Sequence, residues 1–111
     1  MASEKIINQK STIKNSPVVV GVCTVQIEVF GDDTLKGKRH VVKPILARVR
    51  NTFNVSAAEV DDLDAHDRAT IAFACVSNDA KYAHGLLEKV IDYIERNRFD
   101  ANILDYQIEL L

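Results

Sequence analysis

The sequence predicts an α+β fold: a ferredoxin-like βαββαβ sandwich, with one antiparallel sheet and two helices on one of its faces. Three observations predict it. Two stretches, 34–53 and 79–97, carry apolar residues at helical spacing, and strand-like stretches flank and separate them in the order β-α-β-β-α-β. The first and third strand-like stretches are the most apolar, which suits the two central places of a four-stranded sheet. Finally, 111 residues with 47% hydrophobic and 27% charged side chains can bury one modest core but not two.

Residues 1–16 are polar, with Ile6, Ile7 and Ile13 at no helical or strand period, and Pro17 then punctuates the chain. A flexible extension is expected there, with a single domain over 17–111. Residues 18–30 (VVVGVCTVQIEVF) read as the first strand. Val25, Ile27 and Val29 alternate with Thr24, Gln26 and Glu28, while Val18 to Cys23 is apolar on both faces and calls for a cover on both sides. Gly31-Asp32-Asp33 reads as a turn. In the helix 34–53, Leu35, Val42, Leu46, Val49 and Phe53 share one face, and Asp33 or Thr34 is the natural N-cap. Gly37 and Pro44 are awkward there. The glycine costs roughly 1 kcal/mol relative to Ala. The proline, on the solvent side, frees the carbonyl of His40, so a kink, or a break at Val42–Lys43, is expected.

Residues 54–60 read as a short strand, 61–68 as an acidic loop, and 69–78 as a second buried strand with Ile71, Phe73 and Cys75 on one face. Asn78 or Asp79 caps the helix 79–97, in which Ala80, Ala83, Leu87, Val90, Ile91 and Ile94 make one stripe. Residues 103–111 close the chain as a strand, Leu104, Tyr106, Ile108 and Leu110 alternating with Asp105, Gln107 and Glu109.

Fourteen Lys+Arg against sixteen Asp+Glu leave a net charge of −2, so no global field marks a nucleic-acid or membrane protein. Two cysteines make no disulfide framework, and neither a signal peptide nor an apolar run of about 20 residues occurs. A cytoplasmic protein with no membrane partner is expected.

Beneath the net value the charge is segregated. Residues 34–53 carry +6 with no acidic residue, 54–68 carry −4 and 99–111 carry −3. Lys36, Arg39, Lys43 and Arg50 are spaced 3, 4 and 7, which sets them in one stripe along roughly 20 Å of helix, bordered by His40. Cations so placed can track successive phosphates, and Arg39 and Arg50 can bind bidentately. Like charges at these spacings weaken a helix by a few tenths of a kcal/mol per pair, and Lys36 and Arg39 stand near the helix end that disfavours cations. Those penalties point to a use for the cations. The competing view is a solvated face neutralised by the acidic loop.

The sheet is not expected to read bases. The outward set (Thr24, Gln26 and Glu28 with Asp105, Gln107 and Glu109) has no aromatic, and Phe73 belongs to the core face. The apolar end of that outward face, Val18, Val20 and Val22 with Ala72 and Ala74, needs a cover. A second copy of the chain, making a homodimer, or the N-terminal extension would supply it.

Other chemistry is sparse. Glu59, Asp61, Asp62, Asp64, His66 and Asp67 cluster but fail the EF-hand pattern, lacking the sixth-position Gly and the twelfth-position Glu, so a solvated loop is expected rather than a metal site. Cys23 and Cys75 read as small buried hydrophobes on neighbouring strands. His40 and His84 read as surface positions, and Tyr82 and Tyr93 as packing at the margin of the second helix. No phosphate-binding glycine loop, nucleophile elbow or C-x-x-C occurs, so no catalytic residue and no cofactor is assigned.

The chain also resembles a known family. Leu35-Lys36-x-Lys38-Arg39, Arg50-Asn51-x-Phe53-Asn54-Val55-Ser56, Ala58-Glu59-Val60 and Val76-Ser77-Asn78-Asp79 are similar, in order and spacing, to blocks of the YlxP-like family of small bacterial proteins, a domain of unknown function. The resemblance covers roughly residues 18–111. It implies a ferredoxin-like fold and, because genes of the family often lie near those for translation initiation and ribosome maturation factors, a ribosome-related role. It carries over no catalytic residue. The chain departs from the family pattern at Gly37 and Pro44, and His66-Asp67 stands where an aromatic residue is common.

The function expected from the sequence is thus a non-enzymatic accessory protein that contacts RNA or a ribosomal surface. Lys36, Lys38, Arg39, Lys43 and Arg50 would neutralise phosphates, and Asn51 would add a polar contact. The alternative is a dimeric regulatory or scaffold module whose basic stripe is merely solvated. A small enzyme using the acidic loop and His66 ranks below both.

Overall fold

The computed structural model describes residues 17–111, so the extension expected over 1–16 lies outside the described residues. The element order is β1 (Val19–Val29), α1 (Leu35–Thr52), β2 (Ser56–Asp61), β3 (Arg68–Ser77), α2 (Ala80–Arg96) and β4 (Ala101–Leu110). The strands form one antiparallel sheet in the order β2-β3-β1-β4, with the two most apolar strands central. This is the α+β, ferredoxin-like arrangement that the sequence pattern predicts.

Alternation along the strands decides which side chains meet the helices. Cys23, Val25, Ile27 and Val29 of β1 and Ala69, Ile71, Phe73 and Cys75 of β3 are buried on one face. Val41, Val42, Ile45 and Val49 of α1 and Ala83, Leu87, Val90, Ile91 and Ile94 of α2 pack on them as one core. Gly21 of β1 is needed for close approach, since a Cβ there would stand 2.9 Å from Leu87 Cδ1 and 3.2 Å from Cys75 Sγ.

Three sequence expectations are corrected. The break weighed at Val42–Lys43 does not occur: α1 runs as one helix through Pro44, which is exposed, so water can satisfy the carbonyl the proline frees. On β4, Leu104 does not share the face of Tyr106, Ile108 and Leu110. The β1–β4 register passes from Gln26↔Asp105 to Ile27↔Ile103, a bulge that skips Leu104 and gives the inward place to Ile103. The third correction is Lys38, which lies on the buried face of α1 and is 2% exposed.

The outward face follows the register. Thr24 pairs with Gln107 and Gln26 with Asp105, while Val20 pairs with Val76 and Val22 with Ala74, so an apolar end and a polar end share one face. Among the described residues no helix is long and apolar enough to cross a membrane.

Candidate nucleic-acid interface

α1 begins where Thr34 caps it, its side chain accepting from the Gly37 amide at 2.9 Å. The Thr34 hydroxyl in turn donates to Asp32 Oδ1 at 2.6 Å. That carboxylate lies over the first helical turn, and a Cβ on residue 37 would collide with it, which explains the glycine at a helical position. The Thr34 hydrogen bond, with backbone amides and the nearby His40 adding to it, holds the Asp32 carboxyl below the usual carboxylate range. Asp33, just before the cap, takes the left-handed conformation (φ 60°) that Asp tolerates better than most residues. Its carbonyl accepts from His66 Nδ1 at 3.1 Å, which ties the start of α1 to the β2–β3 loop.

From this start the helical period sorts the six cations of α1 into three sets. Lys36, Arg39 and Lys43 are exposed and, with His40 and Pro44, line a shallow groove of about 290 Å³. Among the described residues no carboxylate lies within 4.0 Å of these three cations, so the acidic loop makes no ion pair with them. This is the part of the expected phosphate-binding stripe that the structure brings together.

Arg50 and Arg48 form the second set. Arg50 is exposed, but its guanidinium donates to the Ala57 carbonyl at 3.3 Å, which draws it toward the start of β2. Arg48 stacks over Phe99 (4.9 Å from the ring centroid) and Tyr93 (5.9 Å) and donates to Asn97 Oδ1 at 2.9 Å. Arg48 therefore joins the C-terminal ends of the two helices, where Tyr93 also meets Phe53 edge to face. Asn51 is exposed near the end of α1 and makes no side-chain hydrogen bond to another described residue.

Lys38 alone makes the third set, and it is no phosphate ligand. Its ammonium donates to the carbonyls of Asp62 (2.9 Å), Leu63 (3.3 Å) and Arg68 (3.4 Å) and stands 2.8 Å from Glu59 Oε2. Glu59 Oε2 accepts no aligned hydrogen bond, so charge holds the pair. The three carbonyls use all three donors of the ammonium, and the contact clamps α1 onto the β2–β3 connection. Helical spacing contained the signal. Lys38 lies four residues before Val42 and seven before Ile45, within the buried stripe, and Glu59 stands inward on β2 opposite Ile71.

The acidic loop is used structurally. Asp62, left-handed at φ 58°, accepts from Thr70 Oγ1 at 2.7 Å and lies 3.5 Å from Arg68. Among the described residues no three His, Cys, Asp or Glu side chains are grouped to hold a metal ion. A larger depression, about 450 Å³, lies between the end of α2 and β4 and is lined by Arg98, Glu95 and Asp105 together with Ile94, Phe99 and Ile103. Its mixed charges give no field of one sign. The outer face of the two central strands carries no aromatic side chain, because Phe73 is buried beneath it.

Residues 20–108 match the family model described as Protein of unknown function (DUF503). The chain is also 32% identical, over 77 residues, to the Uncharacterized protein YlxP of Bacillus subtilis (strain 168), an alignment covering 69% of this chain and 84% of that protein.

Proposed function

The chain belongs to the DUF503 family, and from that premise we propose that it is a non-enzymatic accessory protein that binds the phosphate backbone of RNA along α1. The observation that carries this reading is the groove of Lys36, Arg39, His40 and Lys43. It gathers three exposed cations with no described carboxylate within 4.0 Å, on a helix whose other cations are engaged. Unpaired surface cations hold condensed counterions poorly compared with a nucleic acid, so bringing the two together releases ions and drives association. Lys36 and Lys43 act as point charges, and Arg39 offers a planar fork for two phosphate oxygens. From Lys36 to Lys43 the helix rises roughly 10 Å, enough for a few consecutive phosphates of one strand.

The absence of aromatics on the outer face of β1 and β3 favours recognition of backbone and shape over unstacked bases. Structured RNA, including the RNA of a ribosomal surface, is the class this chemistry takes. Arg50 and Asn51, near the end of α1, extend the contact toward the start of β2.

A titration of fluorescent duplex RNA tests the proposal. The charge-neutral triple variant Lys36→Gln/Arg39→Gln/Lys43→Gln is expected to bind at least tenfold more weakly while unfolding as the parent does. Equal affinity of the two proteins contradicts it.

A further inference from the structure

The outer face of the sheet is bare among the described residues, and its pattern is self-complementary. At one end, Val76 is 74% exposed beside half-buried Val20, and Val22 lies beside Ala74. We infer that this face is the interface with a second copy of the chain, the two sheets packing face to face about a two-fold axis that runs parallel to the strands between β1 and β3.

Charge selects that axis. β4 presents Asp105, Gln107 and Glu109 outward, next to Gln26, Thr24 and Val22 of β1. A two-fold axis across the strands would lay β4 on the other copy's β4 and bring Asp105 against Glu109. The axis along the strands instead lays β4 over the other copy's β2, whose outward Ser56 and Ala58 are uncharged. One kind of like-charged meeting remains, Asp105 with Asp61, made twice at the exposed polar end, where solvent screens it, and the same axis offsets it by setting Glu28 of each copy over Arg68 of the other.

Side-chain size fits the same axis. It sets β1 of each copy over β3 of the other, so Val22 faces Ala74 and Thr24 faces Ala72, large against small. Half-buried Val20 and exposed Val76 meet at the apolar end. A face of three strands about ten residues long and a fourth, β2, of six, spaced about 4.8 Å, covers roughly 600 Å² per copy. Two such faces reach about 1,200 Å², the lower bound for a stable interface. Both basic grooves stay open in such a dimer, because α1 lies on the opposite face of each sheet. The dimer therefore stands or falls independently of RNA binding.

Sedimentation equilibrium of the full chain across the micromolar range tests this. The expected result is a doubling of mass that Val22→Asp and Ala74→Asp each abolish while the cooperative thermal transition is kept. Ser56→Lys, which the axis places opposite Glu109 of the other copy, is expected to tighten the dimer several-fold. A chain that stays monomeric, or a dimer that both Asp variants leave intact, overturns the inference. A monomer that dimerises only after removal of residues 1–16 overturns it too and assigns the face to the chain's own first residues. An unchanged affinity in Ser56→Lys overturns the stated placement of the strands.

Discussion

Lys38 Nζ lies 2.8 Å from Glu59 Oε2, joining the buried face of α1 to the inward face of β2. A Lys at that place donates to the loop carbonyls of Asp62 and Leu63 and to the Arg68 carbonyl at the start of β3, so its charge is spent inside the fold. Removing one member of a buried pair costs about 3–5 kcal/mol, because the other stays behind uncompensated. Lys38→Met is therefore expected to lose stability of that order in urea unfolding, a large part of what a domain of this size has. Glu59→Gln, which keeps an oxygen beside the ammonium, is expected to lose less.

The contact over the first turn of α1 gives a second prediction. Ala is the better helix former by roughly 1 kcal/mol, yet a Cβ at Gly37 collides with the Asp32 carboxylate. Gly37→Ala is expected to swing Asp32 off Thr34, so the Asp32 carboxyl, held low by that hydrogen bond, returns toward the ordinary carboxylate range. A carboxyl-detected NMR titration of the parent and the variant measures this. The sign follows from the lowered value. What the charged Asp32 contributes is present above the ordinary carboxylate range and is lost as pH falls through its own lower value.

Pro44 sits exposed in the middle of an unbroken helix and leaves the His40 carbonyl without its helical donor. Pro44→Ala restores that bond and is expected to raise stability by about 1–3 kcal/mol, less whatever the proline gains by restricting the unfolded chain. Thermal unfolding followed by circular dichroism measures the change.

Cys23 is fully buried under the helices, and burial pushes its thiol up to about 12. The thiolate is the nucleophile, so Cys23 is expected to ignore a disulfide reagent at pH 8 and to react once denaturant opens the fold. Prompt reaction in the native protein would contradict the packing described for β1.

Much of this was legible in the sequence, and what was not has physical reasons. Alternation in β1 and β3 and the helical period of α2 reported their own burial, so the element order and the sheet's two faces could be read directly. Leu104 misled because a bulge opposite Gln26 and Ile27 moves the strand's period by one residue, and a bulge leaves little trace in a short strand. Lys38 misled because charge argues for the surface, whereas its position between Val42 and Ile45 on the helical wheel argued for the core. Its partners, from Glu59 on β2 through Asp62 and Leu63 to Arg68 at the start of β3, lie 21 to 30 residues away, and only the folded chain brings them together. The stripe of Lys36, Arg39 and Lys43 was readable from spacing alone. That no described carboxylate reaches it was not, since the acidic loop could have folded either way.

The salt dependence of RNA binding tests the central claim most directly. With Lys36, Arg39 and Lys43 each neutralising one phosphate, log K should fall against log salt with a slope of about −2 to −3, and Lys43→Gln should make it shallower by about 0.7–0.9. Lys89→Gln, an exposed change on α2, should leave the slope as it is. Binding that ignores salt, or a slope that Lys43→Gln does not alter, would contradict a phosphate-binding groove on α1.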